Sequence, residues 1–249
     1  MKVFDTIYDP NVLNIFTDAS MYSGKYKGYS VGCAGVELAT AACRYDVSNN
    51  LYQNGYIPNY VITLDTTNNN SELIAIRQGI LFAIANKNRF NEINLFSDSL
   101  ISVKALREWI EGWFYKSLKK SQNENITLTT ASGAPVANQD IIKNIVALIY
   151  YNNLSINIYH QRGHCSNDLD TVKKDFIKMN NIKSLVYDSF IKQISDINDV
   201  VDRRSRYIMK TFVQTGYAPY VVNNTLLPGV EYDISKIYFK KYKQLIGRK

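Results

Sequence analysis

The sequence has no run of about 20 uninterrupted apolar residues, so it offers no candidate for a membrane-spanning helix. Its opening stretch, MKVFDTIYDPNVLN, lacks the apolar centre of a secretory leader, which sets the expectation of a cytoplasmic protein, in a host cytoplasm if the source is viral. Cysteine is scarce. Cys33, Cys43 and Cys165 are an odd number without zinc-ribbon spacing, which argues for reduced thiols and against a disulfide framework. His160, His164 and Cys165 fall one ligand short of a structural zinc site. With 5 prolines and 12 glycines in 249 residues, and no internal repeat, neither a fibrous nor a low-complexity chain is in view.

What is present is an ordinary globular composition, 46% hydrophobic, with positive charge concentrated at one end. Residues 1–182 carry 17 lysines and arginines against 16 acids, whereas residues 183–249 carry 12 against 6. A near-neutral body followed by a basic segment suits a polyanionic partner, nucleic acid first. The same charge also serves solubility, and the segment taken alone does not separate the two.

Local patterning predicts three β-strands within the first 65 residues, in LNIFTDAS (13–20), GYSVGCAGVEL (28–38) and YIPNYVITLD (56–65). From Ser71 the period becomes helical, with Leu73, Ile76, Ile80 and Ile84 on one side. A fourth strand, EINLFSD (92–98), leads into a helix, and residues 115–136 read as polar and irregular. A helix over 137–151, a fifth strand in LSINIYH (154–160) and a helix over about 167–181 complete the body. This order predicts an α/β protein: a mixed five-stranded sheet, three strands antiparallel and the later ones parallel, flanked by helices. The expected division is a body of residues 1–182 and a mostly helical basic extension of residues 183–249.

Acids fall at the ends of these elements: Asp18 closing the first strand, Glu72 opening the first helix, Asp98 closing the fourth strand. Taken alone, Glu72 behind a row of asparagines reads as ordinary helix capping. If the first and fourth strands are neighbours, however, all three carboxylates meet at one sheet edge. That cluster is unfavourable unless a hard cation such as Mg²⁺ or Mn²⁺ neutralises it.

The blocks IFTDAS, TTNNNSELIA, LFSDSL, REWIEGW, TTASGAPVANQDIIKNI and HQRGHCSNDLD resemble, in order, the motifs of type 1 ribonuclease H enzymes, over about residues 12–180. The resemblance implies the ribonuclease H-like fold and an endonuclease that cuts the RNA strand of RNA–DNA hybrids with two Mg²⁺ ions, Mn²⁺ being a substitute. It implies that Asp18, Glu72 and Asp98 hold the metals, joined by a fourth acid from the last helix of the body. For that place Asp170 is preferred, with Asp175 and Asp168 as alternatives, because Leu169, Val172 and Phe176 then form the inner face of the helix. It also implies that His164 assists product release or places the attacking water. Thr67 would contact a phosphate of the DNA strand, and Asn68 and Asn69 the minor groove. Trp109 and Trp113, with Lys116, Lys119 and Lys120, would form a handle against the DNA. Gly112 and Leu100 stand where the family often has Asn and Gln.

The basic extension has no counterpart in compact members of that family. With seven tyrosines it is expected to extend the hybrid-binding surface, or else to dock on replication or transcription proteins. A non-catalytic nucleic-acid-binding module of the same fold is the alternative to an active nuclease, and the reach of the fourth acid is what separates them.

Overall fold

A computed structural model describes residues 3–46, 51–52, 59–119, 126–163, 168–218 and 234–247. Nine strands and seven α-helices follow one another among them. A short β1 (Val3–Phe4) precedes the long strands β2 (Val12–Met21) and β3 (Val31–Ala39), then a minor β4–β5 pair (Tyr45–Asp46, Leu51–Tyr52) and β6 (Asn59–Leu64). Next come α1 (Asn68–Asn86), β7 (Glu92–Ser97), and a continuous helical rod of α2 (Leu100–Lys104), a π-helical turn (Ala105–Trp109) and α3 (Ile110–Leu118). The chain continues through α4 (Gln139–Tyr151), β8 (Asn157–His160), α5 (Leu169–Asn180), β9 (Leu185–Val186), α6 (Asp188–Thr215) and α7 (Phe239–Leu245).

The central sheet has the order β6-β3-β2-β7-β8, with β2, β3 and β6 antiparallel and β2, β7 and β8 parallel. This is the mixed five-stranded sheet expected from the sequence. Side chains on the middle strands alternate between two covered faces. On one face Gly79 of α1 comes so close to β2 and β7 that an added Cβ would lie 3.1 Å from Ile15, Thr17 and Leu95. Glycine there lets the helix sit down on the sheet. On the other face Phe16 stacks on Phe96 at 4.8 Å, and Phe176 of α5 and Phe190 of α6 close over them.

Register across the parallel half is marked by a ladder of amides. Asn157 donates to Asn94 and Asn94 donates to Asn14, each at 2.9 Å, between residues that are direct partners in the sheet. A slip of one residue would turn the ladder to the opposite face and leave buried amides without partners.

Several boundaries depart from the sequence reading. The first long strand runs past Asp18 to Met21, because β3 pairs with it over that whole length. α1 begins at Asn68, one turn before the expected Ser71: Thr67 caps it, its side chain accepting from the Asn70 N–H at 3.2 Å. β8 is shorter than 154–160, since Ile156 donates its N–H to the Leu245 carbonyl at 2.7 Å instead of to the sheet.

The boundary expected at residue 182 does not coincide with a break in the core. Phe190, Ile191, Ile194 and Ile197 of α6 and Phe239, Tyr242 and Leu245 of α7 belong to the same apolar cluster as Leu13, Phe16 and Leu95 of the sheet. The signal is an apolar stripe at helical spacing (Phe190, Ile194, Ile197, Val201, Ile208) that runs along most of α6. Gly216, at φ 74°, ends the helix in the left-handed conformation that favours glycine.

α6 presses closely on β3 at Gly35, where a Cβ would meet Tyr60 Cε1 at 2.5 Å and Val201 Cγ2 at 3.0 Å. The Tyr60 ring has no room to yield, being fully buried with its hydroxyl donating to Glu37 at 2.5 Å. Gly35→Ala is therefore expected to destabilise the protein by about 1–3 kcal/mol, read as a lowered midpoint in urea denaturation.

Candidate metal centre and active-site cavity

Register brings the first two acids together. The β2–β7 pairing ends at Thr17 opposite Ser97, so the next residues, Asp18 within β2 and Asp98 just past β7, stand beside one another where the parallel pairing stops. Glu72 reaches the same point from α1. One carboxylate oxygen from each of the three lies within 4.8 Å of the others. Asp18 and Glu72 are nearly closed to solvent, at 4% and 5% exposure.

Such a group strains against its own charge. Burial first, then the charges of Asp98 and Asp202, holds the Asp18 carboxyl well above the usual carboxylate range, although the Ala19 N–H donates to it at 2.7 Å. Glu72 is raised as well, by burial and then by Asp18 and Asp98. Glu72 Oε2 is also buried without any hydrogen-bond partner, where a buried oxygen ordinarily has one. A hard divalent cation answers both conditions, and the donor set, oxygen alone, fits Mg²⁺ or Mn²⁺ better than zinc.

Asp98 is framed from behind. His160, held neutral by burial, donates from Nε2 to the Asp98 carbonyl at 3.1 Å. Gly163 passes so near that a Cβ would sit 2.6 Å from Asp98 Oδ2. His160 is thus committed to the strand end, and His164 and Cys165 lie outside the described residues.

In front of the acids opens a cavity of about 490 Å³. One side is Asp18, Glu72, Asp98 and Asn68; residues 19–23 line it too; the other wall is Asp202, Arg206, Met209 and Lys210, all from α6. Alternation along β2 explains the meeting. Ile15 and Thr17 face α1, so Asp18 and Ser20 face α6, where Ser20 and Ser205 hydroxyls are 2.7 Å apart. Asp202, one turn before Ser205, comes alongside Asp18. Arg206 holds both oxygens of Asp202, at 2.8 and 2.9 Å.

Asp170 does not join the cluster. It is exposed in the first turn of α5, a helix capped by Asp168, which accepts from the Thr171 N–H at 3.1 Å. Asp175 pairs with Arg162 at 2.8 Å. Val172 and Phe176 are buried as their spacing requires, but the helix they seat leaves Asp170 facing solvent.

Thr67, Asn68 and Asn69 are exposed beside the cavity mouth, and Asn68 lines it. Trp109 sits on the π-helical turn with its ring 5.7 Å from that of Trp113, the first 38% exposed and the second packed on the core. Lys116 is already engaged, donating to the Thr130 carbonyl at 2.9 Å and also to that of Ala131. Lys119 is exposed, and Lys120 lies outside the described residues.

Residues 10–177 match the family model for RNase H. The chain belongs to the RNase H family. A ribonuclease H of Tropheryma whipplei (strain Twist) is 30% identical over 103 residues, which are 41% of this chain and 56% of that protein. One from Campylobacter jejuni subsp. jejuni (serotype O:23/36, strain 81-176) is 42% identical over 59 residues, 24% of this chain and 38% of that protein. The chain thus spans between about two fifths and somewhat over half of these relatives' lengths. Among solved structures, LC9-RNase H1, a type 1 RNase H with the type 2 active-site motif, is 18% identical with a TM-score of 0.42, covering 70% of this chain and 73% of that one. So distant a likeness decides nothing, and the family rests on the sequence match. That match ends before α6, so the residues that sequence reasoning missed, Asp202, Arg206 and Lys210, lie outside the RNase H segment.

Proposed function

We propose that the protein is a divalent-metal-dependent ribonuclease H that hydrolyses the RNA strand of RNA–DNA hybrids by a two-metal mechanism. The observation that carries this reading is the convergence of three carboxylates within 4.8 Å, one of whose buried oxygens has no partner, in a chain of the RNase H family. Asp18, Glu72 and Asp98 would hold the metal. Asp202, whose charge acts directly on Asp18 and which faces them across the cavity, takes the place of the fourth carboxylate for which the family resemblance and the apolar face of the last body helix favoured Asp170. When bound, the ions supply Lewis acidity at the scissile phosphodiester, and hydrolysis breaks the bond to the 3′-oxygen to leave a 5′-phosphate.

The remaining residues act by position. The α1 cap at Thr67 presents Asn68 and Asn69 at the cavity mouth, where amides can donate to and accept from base edges and 2′-hydroxyls in the minor groove. Contact with a 2′-hydroxyl separates RNA from DNA at the point of cutting. Trp109, exposed on the π-helical turn, offers an apolar face to the duplex beyond, and Lys119 a charge for its backbone.

The test is cleavage of an end-labelled hybrid, with RNA duplex and DNA duplex as controls, in Mg²⁺, Mn²⁺ and EDTA. Only the RNA of the hybrid is cut, and only with metal. Asp202→Asn lowers kcat by roughly 10–100-fold, whereas Asp170→Asn leaves it within about two-fold. An intact hybrid after incubation with folded wild-type protein in both metals overturns the proposal.

A further inference from the structure

The α6 wall carries two cations into the same cavity as the acids. Arg206 and Lys210 stand one turn apart on a helix fixed to the sheet by three contacts. Those are the Ser205–Ser20 hydrogen bond at 2.7 Å, the Arg204–Glu37 ion pair at 3.0 Å, and the buried side chains of Val201 and Ile208. The heads of both are therefore set by a rigid element and not by a loop.

The bonds of the two cations differ. The Nη2 of Arg206 is engaged with Asp202, which aims the guanidinium along the cavity, while the remaining N–H groups of its fork have no hydrogen-bond partner among the described residues. Lys210 forms no ion pair among the described residues, although it lines a cavity that contains four carboxylates. A ligand that suits this geometry presents negative charge to α6 and meets the acids across the cavity only through a cation. A phosphodiester backbone does both.

We propose that Arg206 and Lys210 form a phosphate-binding subsite on α6 that grips the nucleic-acid backbone beside the point of cleavage. The subsite rests on the reading above in taking nucleic acid as the ligand, but it lies after the segment that matches the RNase H family, which ends at residue 177. It also gives the positive charge of the C-terminal segment a specific place, next to the acid cluster.

The experiment measures the affinity of the intact protein for a short fluorescent RNA–DNA hybrid in EDTA, across a salt series, so that no cleavage intervenes. The variants are Lys210→Gln, Arg206→Gln and both together, with Lys192→Gln as a control of equal charge change about four to five turns earlier on α6, away from the cavity, where its ammonium pairs with Asp196. Thermal melting of each confirms the fold. Each of the Lys210 and Arg206 changes is expected to weaken binding about three- to ten-fold and to reduce the slope of log affinity against log salt by about one, with Lys192→Gln at wild-type values. Lys210→Gln isolates the effect, since Arg206→Gln also releases Asp202. Affinity and slope no different from the control for both variants overturn the subsite, even if the protein cleaves hybrids. A loss of binding in a protein that cuts nothing supports the subsite while the nuclease reading fails.

Discussion

Replacing Asp18 by asparagine is expected to lower the rate of hybrid cleavage by a factor on the order of 1,000 and, in the same molecule, to raise the melting temperature measured in EDTA. The two effects share one cause. Asp18 is buried against Asp98 and Asp202, and its carboxyl is held well above the usual range, so without metal the folded state resists its ionisation. A folded-state pKa above the unfolded one confers stability that is fully present below the unfolded pKa and is lost as pH rises through the folded pKa. The melting temperatures of wild type and variant in EDTA therefore agree at low pH and diverge as pH rises from the ordinary carboxylate range. The variant gains roughly 3 °C or more at neutral pH. Mg²⁺ reverses the order, because the ion binds the folded wild type with an additional ligand. Melting curves in EDTA and Mg²⁺ from pH 4 to 8 check both halves. A variant no more stable than wild type in EDTA at neutral pH would remove the argument that the acids are held against their charge.

The second large effect concerns the seat of α6. Glu37 is fully buried on β3, where it accepts from the Tyr60 hydroxyl and pairs with Arg204 at 3.0 Å. Arg204→Ala removes the cation and leaves that carboxylate with its solvation lost, at a cost of about 3 kcal/mol or more, measured by urea denaturation. The double change Glu37→Gln with Arg204→Ala is expected to cost less than Arg204→Ala alone, since the uncompensated charge is gone. Equal losses in the two proteins would show that Arg204 acts by packing and not by pairing.

The central sheet was legible because its strands are short β-rich runs bounded by turn residues, while the helices between them keep an apolar period near 3.6. Asp18, Glu72 and Asp98 were legible as a group because each sits where a strand or a helix meets the carboxyl end of the sheet. The acid that we propose as the fourth was not. Within α5 the apolar pattern seats Val172 and Phe176 correctly, yet spacing along one helix does not tell which end of the sheet that helix reaches. Asp202 follows Val201, a core residue, but nothing local distinguishes it from Asp199 or Asp196. What selects it is Ser20 meeting Ser205, a contact between residues 185 apart in the chain. The surroundings of Lys116 were hidden for a similar reason: nothing local in a lysine after two tryptophans shows that its ammonium meets the carbonyls of Thr130 and Ala131.

The ion pair between Glu37 and Arg204 also sets an order in time. Translation delivers the carboxylate 167 residues before its cation, and β1 about 180 residues before the β9 strand it pairs with. Until α6 leaves the ribosome, the part of the sheet that carries Glu37 and Tyr60 lacks the helix that packs on it, so the nascent chain holds both an apolar surface and an acid awaiting its partner. Long-range contacts of this kind slow folding. A chain arrested before residue 204 would thus remain a client of chaperones.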